Sequence, residues 1–142
     1  MVKTKISQGA TVFASPNVEN TASYYHDVFG CKVVAHYENE EPFAALYRDR
    51  AEIIVVQAKK GDIASNTARY GAGYDVYLAP EDVTGVDTLY DELKQKGATI
   101  AVEPHLTTYG CYEFVVKDID SHLIGIGKIK DEETFFRGET PK

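Results

Sequence analysis

The sequence predicts an α+β fold in which one βαβββ unit occurs twice in tandem. The first observation is an internal repeat, because residues 14–30 align with residues 79–97 and Tyr25 falls on Tyr90. The second is a shared order of patterns: each half has one apolar run, one stretch of helical periodicity and three further apolar runs. Self-similarity at a period of about 65 residues indicates one supersecondary unit used twice.

The first unit begins with a predicted strand at residues 10–15, ATVFAS. Apolar residues then recur at helical spacing after Asn17, the predicted N-cap, and this periodicity ends at Gly30, the predicted C-terminal stop. Alternating or short apolar runs are typical of half-buried strands. On this basis the three remaining strands are predicted at KVVAHY, PFAALYR and AEIIVVQ, which are residues 32–37, 42–48 and 51–57.

The second unit repeats this order, beginning with a predicted strand at residues 74–79, YDVYLA. A helix follows, with a capping box predicted from Thr84 and Asp87 and with Gly97 as its end. Its three further strands are predicted at ATIAVE, CYEFVVK and HLIGIGK, which are residues 98–103, 111–117 and 122–128. The predicted units therefore correspond strand for strand.

The domain organisation follows from these elements. Residues 8–58 form the first predicted unit and residues 73–130 the second, with residues 59–72 as a polar linker between them. The charged residues 131–142 form a predicted C-terminal tail. A chain of 142 residues fits one structural domain overall, made of both units.

Composition excludes several classes of partner. The formal net charge is −7, from 22 acidic and 15 basic residues, and lysines and arginines form no stripe, so we expect no nucleic-acid partner. No apolar run of about 18 residues occurs, so we expect no membrane span. The start of the chain lacks the apolar core of a signal peptide. We therefore expect a cytoplasmic protein in which Cys31 and Cys111 are reduced.

Two short motifs carry a resemblance to a known family. SYYHDVFG at residues 23–30 is similar to a family helix that ends in F-Y-x-D-x-L-G. The run from Gly110 to His122 is similar to G-x-x-x-F-x-x-x-D-P-D-G-N, with Ile119, Ser121 and His122 in place of the proline, glycine and asparagine. Over residues 8–130 the chain resembles the vicinal oxygen chelate superfamily, which includes glyoxalase I, extradiol dioxygenases, fosfomycin-resistance proteins and bleomycin-binding proteins.

The resemblance implies a cupped mixed sheet around a cavity, a homodimer and, in many members, a divalent metal ion held from the first and last strands of each unit. The corresponding positions here are Ala10 (or Thr11), Val55, Asp75 and Gly125. Only Asp75 has a side chain suited to such an ion, and catalytic zinc sites ordinarily have three protein ligands. We therefore expect no metal ion and no other cofactor.

Aromatic side chains are the other resource of the predicted cavity, because the chain has 10 tyrosines. By strand alternation Asp75 and Tyr77 share the face that the resemblance turns inward. A carboxylate on a largely apolar face needs a partner, and Gly125 would leave room for a bound molecule. The candidate ligand-binding residues are Asp75, Tyr77, His36, Tyr47, His105, Tyr109, Tyr112 and Gly125.

Two functions remain open at this point. The favoured one is a metal-free small-molecule-binding protein, similar to bleomycin-resistance proteins, for a cationic and partly planar compound such as an antibiotic. The alternative is an enzyme, a lyase or isomerase or a dioxygenase-like protein, with a non-standard metal site or with Asp75 and a histidine or tyrosine as acid and base. No catalytic residue is assigned, and a dimer that exchanges units between chains is as compatible with the sequence as one that does not.

Overall fold

The computed structural model describes residues 3–139, and the chain divides between Ile63 and Ala64 into two compact units. Each unit contains one four-stranded mixed sheet, with a helix against it. The α+β class and the repeated βαβββ order are therefore confirmed. Here the first of these parts is called unit 1 and the second unit 2.

Unit 1 has the predicted order of elements. Its sheet runs β1-β4-β3-β2, with β1 parallel to β4 and the other pairs antiparallel. The elements are β1 (Thr11–Ser15), α1 (Val18–Asp27), β2 (Lys32–His36), β3 (Phe43–Arg48) and β4 (Ala51–Gln57).

Helix α1 forms where the sequence predicts it and for the predicted reason. The Asn17 side chain accepts a hydrogen bond from the Asn20 backbone N–H at 3.0 Å, which satisfies a donor that the first helical turn leaves free. Ala22 and Tyr25 are fully buried on the apolar face of the helix. The helix is followed by Gly30 at φ 68°, a left-handed conformation that glycine adopts easily.

Unit 2 repeats the arrangement with two added helices. Its sheet runs β5-β8-β7-β6, with β5 parallel to β8 and the other pairs antiparallel. The elements are α2 (Asn66–Tyr70), β5 (Val76–Leu78), α3 (Thr84–Gln95), β6 (Thr99–Leu106), β7 (Cys111–Lys117), β8 (Leu123–Ile129) and α4 (Glu132–Phe136).

Helices α2 and α4 lie in segments that we predicted as a linker and a tail. Ser65 caps α2 by accepting from the Ala68 N–H at 3.0 Å, and Asp131 caps α4 by accepting from the Thr134 N–H at 3.0 Å. Such caps allow one short helical turn without an apolar stripe, so periodicity did not reveal these helices. The end of the predicted tail, residues 140–142, lies outside the described residues. Within residues 3–139, no helix has both the length and the apolar character needed to cross a bilayer.

The predicted capping box of α3 is wrong. Asp82, outside the helix, accepts from the Gly85 N–H at 2.9 Å and from the Thr84 hydroxyl at 2.8 Å. Asp87 instead accepts a hydrogen bond from the Tyr112 hydroxyl of β7 at 2.7 Å. A carboxylate five residues earlier, Asp82, takes the capping role, and the predicted capping residue Asp87 makes a tertiary contact.

Strand β6 is longer than predicted, because it continues beyond residue 103 and contains His105. The prediction ended this strand before Pro104, but β6 is an edge strand of its sheet and its pairing with β7 is irregular between Val102 and His105. Proline is tolerated at edges and bulges because it lacks only a hydrogen-bond donor that such positions need not supply.

The acidic turn between β7 and β8 contains a buried ion pair. His122 Nδ1 lies 2.9 Å from Asp118 Oδ2, and the other carboxylate oxygen of Asp118 accepts from the backbone N–H groups of Asp120 and His122. Burial lowers the pKa of His122, but the hydrogen bond and charge of Asp118, with the charges of Asp75 and Asp120, outweigh it and raise this pKa above 6.5. Ser121 has a φ of 71°, at the place where the family turn has glycine.

This pair predicts a stability that falls as pH rises. Because the pKa of His122 is higher in the folded than in the unfolded chain, its contribution is complete below about pH 6.5 and is lost as pH passes the folded-state value. The difference in unfolding free energy between the native chain and His122→Asn should therefore shrink as pH rises above about 6.5. Urea unfolding at several pH values measures it, and a difference that grows with pH would contradict the assignment.

Candidate functional site

Three tyrosine hydroxyls converge on one buried carboxylate in unit 2. Glu113, in β7, has 0% of its surface exposed. Its Oε2 accepts from the Tyr74 hydroxyl at 2.5 Å, and its Oε1 accepts from the hydroxyls of Tyr77 at 3.0 Å and Tyr109 at 2.7 Å. These four residues are here called the tyrosine–glutamate cluster.

Two glycines of β8 make space for this cluster. Tyr77 lies beside Gly125 in the β5–β8 register, and Glu113 lies beside Gly127 in the β7–β8 register. A Cβ atom at Gly125 would lie 2.5 Å from Tyr74 Cδ2 and 2.9 Å from Tyr77 Cδ2, and one at Gly127 would lie 2.5 Å from Glu113 Cβ. The space over Gly125, which we expected to be open for a ligand, is therefore filled by two tyrosine rings.

The turn that contains Tyr109 is hydrogen-bonded to the start of α4. Tyr109 lies in the turn before β7, and the next residue, Gly110, has a φ of 92°. The Gly110 carbonyl accepts from the backbone N–H groups of Lys130 and Asp131, both at 2.9 Å. The start of the C-terminal helix is thus hydrogen-bonded to the turn that presents Tyr109.

The electrostatics of the cluster favour protonated phenols around a negative group. Burial first, and then the hydrogen bond and charge of Glu113, raise the pKa of Tyr74, Tyr77 and Tyr109 above 10.0. An ionised carboxylate only accepts hydrogen bonds, and in this arrangement all three phenols donate to it. Within residues 3–139, no lysine, arginine or histidine forms an ion pair with Glu113.

The rings of the cluster are partly open to solvent although their carboxylate is not. Tyr77 is 42% exposed and Tyr109 is 47% exposed. The rings of Tyr74 and Tyr77 stack, with centroids 6.1 Å apart and planes 13° apart. The cluster therefore presents an aromatic surface above a buried acidic group.

Asp75, the residue that we expected to bind a ligand, has both carboxylate oxygens engaged by backbone donors. Oδ1 accepts from the Asn66 N–H at 3.0 Å, and Oδ2 accepts from the Leu123 N–H at 2.8 Å. The side chain thereby joins the start of α2 to the start of β8. This arrangement supports a structural role for Asp75 in unit 2.

We expect Asp75→Asn to lower the unfolding free energy by about 1–3 kcal/mol, because the amide keeps only one acceptor for two backbone donors. Urea unfolding followed by circular dichroism measures the change. Asp91→Asn, at an exposed position of α3, is the matched control for the loss of charge. An equal effect of both substitutions would contradict the structural role.

The other candidate residues of unit 2 differ in their relation to the cluster. His105 is the cross-strand partner of Glu113, so the two side chains share a face, and its exposed ring is hydrogen-bonded to the Glu103 carbonyl at 3.0 Å. Tyr112 reaches Asp87 in α3, so it lies on the opposite, helix-covered face. The structure thus places His105 beside the cluster and Tyr112 away from it.

His36 and Tyr47 belong to unit 1 and make contacts within it. The His36 ring stacks on Phe43 with centroids 4.6 Å apart. The Tyr47 hydroxyl donates to Glu52 Oε2 at 2.7 Å. A ligand-binding role of either residue stays a prediction.

Sequence reasoning missed Tyr74 and Glu113. The signal for Glu113 was present, because a carboxylate interrupts the otherwise apolar run CYEFVVK, but we used it only as part of a motif. Tyr74 had no comparable signal, since it stands at the end of a polar segment next to a short strand. Of the predicted candidates, Tyr77, Tyr109 and Gly125 are in or beside the cluster.

The residues present do not fit the metal centre that the resemblance implies. Asp75 has both oxygens bound to backbone N–H groups, Gly125 lies under two tyrosine rings, and Val55 is a fully buried apolar residue. Across the part of the chain that the structure describes, no three His, Cys, Asp or Glu side chains are grouped as metal ligands would be. These side chains therefore do not form the metal centre of the family.

Comparison with known proteins supports the fold and the family. The family model for the Glyoxalase/Bleomycin resistance protein/Dioxygenase superfamily matches residues 7–126. No curated protein matches the chain.

Solved structures from several bacteria share the fold. A glyoxalase/bleomycin resistance protein/dioxygenase from Alicyclobacillus acidocaldarius has 14% identity and a TM-score of 0.72, covering 90% of this chain and 95% of its own. A domain of that description from Frankia sp. EAN1pec has 15% identity and a TM-score of 0.70, with 89% and 100% covered. TioX from Micromonospora sp. ML1 has 18% identity and a TM-score of 0.64, with 87% and 98% covered. The chain belongs to the glyoxalase/bleomycin resistance protein/dioxygenase superfamily.

Proposed function

We propose that the chain is a small-molecule-binding protein that takes up a cationic, partly apolar compound at the tyrosine–glutamate cluster, without a metal ion. The observation that carries this proposal is Glu113, a carboxylate with 0% exposure that accepts hydrogen bonds from three phenols and, within residues 3–139, forms no ion pair with a basic side chain. A buried negative charge without an opposite charge is costly. A cationic ligand above it would supply that charge.

The exposed tyrosine rings are the reason to expect that part of the ligand is apolar. Tyr77 and Tyr109 are almost half exposed, and tyrosine offers a large apolar face that stacks on planar groups. The formal net charge of −7 adds a long-range attraction for cations. The exposed aromatic faces and the negative charge thus favour the same class of ligand, which includes cationic antibiotics.

Binding is favoured over the enzymatic alternative by the state of the candidate acids and bases. Asp75 is engaged by two backbone donors, and the raised pKa values of Tyr74, Tyr77 and Tyr109 make these phenols poor bases at neutral pH. A general base is most effective when its pKa lies near the working pH. The cluster is better suited to hold a charge than to transfer a proton.

Titration calorimetry with benzylamine, benzyltrimethylammonium and benzyl alcohol tests this function. We expect at least one of the two cations to bind, the neutral alcohol to bind about tenfold more weakly or not at all, and Glu113→Gln to remove the difference. Asp91→Asn should leave it unchanged. Equal affinities for all three compounds would overturn the proposal, as would a stoichiometric divalent ion whose removal by a chelator abolishes a measurable activity.

The proposal includes the homodimer that the resemblance implies. Its support is an apolar row across the unit 1 sheet formed by Val12, Ile54, Ala45 and Val34, in which Val12 is 59% and Val34 is 40% exposed. The two ends of this row are exposed, and exposed apolar surface of this kind is often covered by another chain. Sedimentation velocity should give a dimer for the native chain and a monomer for Val12→Glu, and a native monomer would refute this part.

A further inference from the structure

The carboxylate of the tyrosine–glutamate cluster is out of reach of a ligand's hydrogen-bond donors. Glu113 has 0% exposure, and its oxygens already accept three hydrogen bonds, two at Oε1 and one at Oε2. A ligand N–H group on the surface therefore meets no free oxygen of this carboxylate. The charge of Glu113 acts on a ligand, but its acceptor sites do not.

What a ligand does meet is the aromatic rings. Tyr77 and Tyr109 are exposed by 42% and 47%, and their hydroxyl groups are turned inward to Glu113. The face of an aromatic ring is negative and attracts a cation placed over it. Donation of the phenol proton to a carboxylate makes the ring more electron-rich, which strengthens this attraction.

These two facts separate two kinds of organic cation. A primary ammonium group carries three donors and is strongly hydrated, so moving it onto the rings costs hydrogen bonds to water that this surface does not replace. A quaternary ammonium group has no N–H donor and is weakly hydrated. It therefore loses less hydration free energy when it leaves water, while its attraction to the rings and to Glu113 remains.

We infer that the tyrosine–glutamate cluster selects an organic cation without N–H groups, a quaternary ammonium, over the corresponding primary amine. This inference rests on the proposed function and narrows its ligand class. Recognition of such cations by electron-rich aromatic rings is a general mode of binding. Here the buried Glu113 adds a fixed negative charge beneath the rings.

Three small probes test the inference by NMR titration of the full chain. Choline is the quaternary cation, 3,3-dimethylbutan-1-ol is its neutral isostere, and ethanolamine is the primary amine. We expect choline to bind about tenfold more tightly than either of the others. Ethanolamine or the neutral isostere binding as tightly as choline would overturn the inference, as would failure of choline to bind.

Substitutions of Tyr77 and Tyr109 then distinguish the effect of removing an aromatic ring from the effect of a general loss of structure. Tyr77→Leu should abolish choline binding, whereas Tyr77→Phe, which keeps the ring, should retain most of it. Tyr109→Leu and Tyr109→Phe provide a second pair, in case Tyr77→Leu does not fold by circular dichroism. Equal choline affinity in the Leu and Phe variants of a folded pair would contradict ring recognition. Tight benzylamine binding without choline selectivity would refute this inference and leave the proposed function standing, whereas failure of every cation would refute both.

Discussion

Gly110→Ala is expected to lower the unfolding free energy by about 2–5 kcal/mol and to detach α4 from the Tyr109 turn. Gly110 has a φ of 92°, so any side chain there takes an unfavourable backbone conformation. In addition, its Cβ would lie 2.6 Å from the Asp131 carbonyl oxygen and 3.2 Å from the Phe135 backbone nitrogen. Since both atoms belong to the backbone, they cannot move away as a side chain would.

A second glycine separates the two causes. Gly97 has a φ of 91°, but a Cβ there would meet no atom within 4 Å. We therefore expect Gly97→Ala to lower the unfolding free energy only through its unfavourable backbone conformation, by about 1–2 kcal/mol. Because the chain has no tryptophan, urea unfolding is best followed by circular dichroism. Equal costs for the two substitutions would show that the α4 contact contributes nothing to stability.

Gly127→Ala is expected to disrupt the tyrosine–glutamate cluster itself, with a cost of about 1–3 kcal/mol and a loss of cation binding. A Cβ at Gly127 would overlap the Tyr77 hydroxyl, and it would lie 2.5 Å from Glu113 Cβ and 2.9 Å from the Tyr112 carbonyl oxygen. The phenol can swing outward, but the other two atoms are fixed by strand β7. Tyr77 would therefore lose its hydrogen bond to Glu113.

Two other glycines calibrate this result. Gly9→Ala is the control, since its Cβ would meet nothing within 4 Å. Gly125→Ala should cost less than Gly127→Ala, because the nearest atoms to its Cβ belong to the rings of Tyr74 and Tyr77, which can tilt. Unfolding free energy and benzyltrimethylammonium affinity are measured for each variant. If Gly127→Ala and Gly9→Ala have the same unfolding free energy and the same affinity, the tyrosine–glutamate cluster does not depend on a glycine at position 127.

The fold was largely predictable because its signals are local and occur twice. The α1 stripe with its Asn17 cap, the apolar strand runs and the glycine stops each depend on a few neighbouring residues. Because the whole order of elements occurs twice, the repeat predicted the topology more specifically than one half of the sequence could. The local predictions that failed, such as the capping box at Thr84 and Asp87, failed where a competing side chain made the same kind of bond.

The candidate site was predictable only in part. Tyr77, Tyr109 and Gly125 were named from strand alternation and resemblance, and they do lie at or beside the cluster. Asp75 was singled out as a carboxylate that needs a partner, and its partners are the backbone N–H groups of Asn66 and Leu123. A sequence shows that a carboxylate needs donors, but not whether the backbone will supply them.

By itself, the sequence determined the repeated βαβββ order and the absence of suitable side chains at three of the family's four metal positions, since both depend on residue types and their spacing. Only the tertiary structure decided which acidic group is central. Glu113 is joined to Tyr74 and Tyr77, which are 39 and 36 residues away in the chain. Glycines at 125 and 127 bring these groups together, because strands β5, β8 and β7 lie side by side and a side chain on β8 would keep them apart.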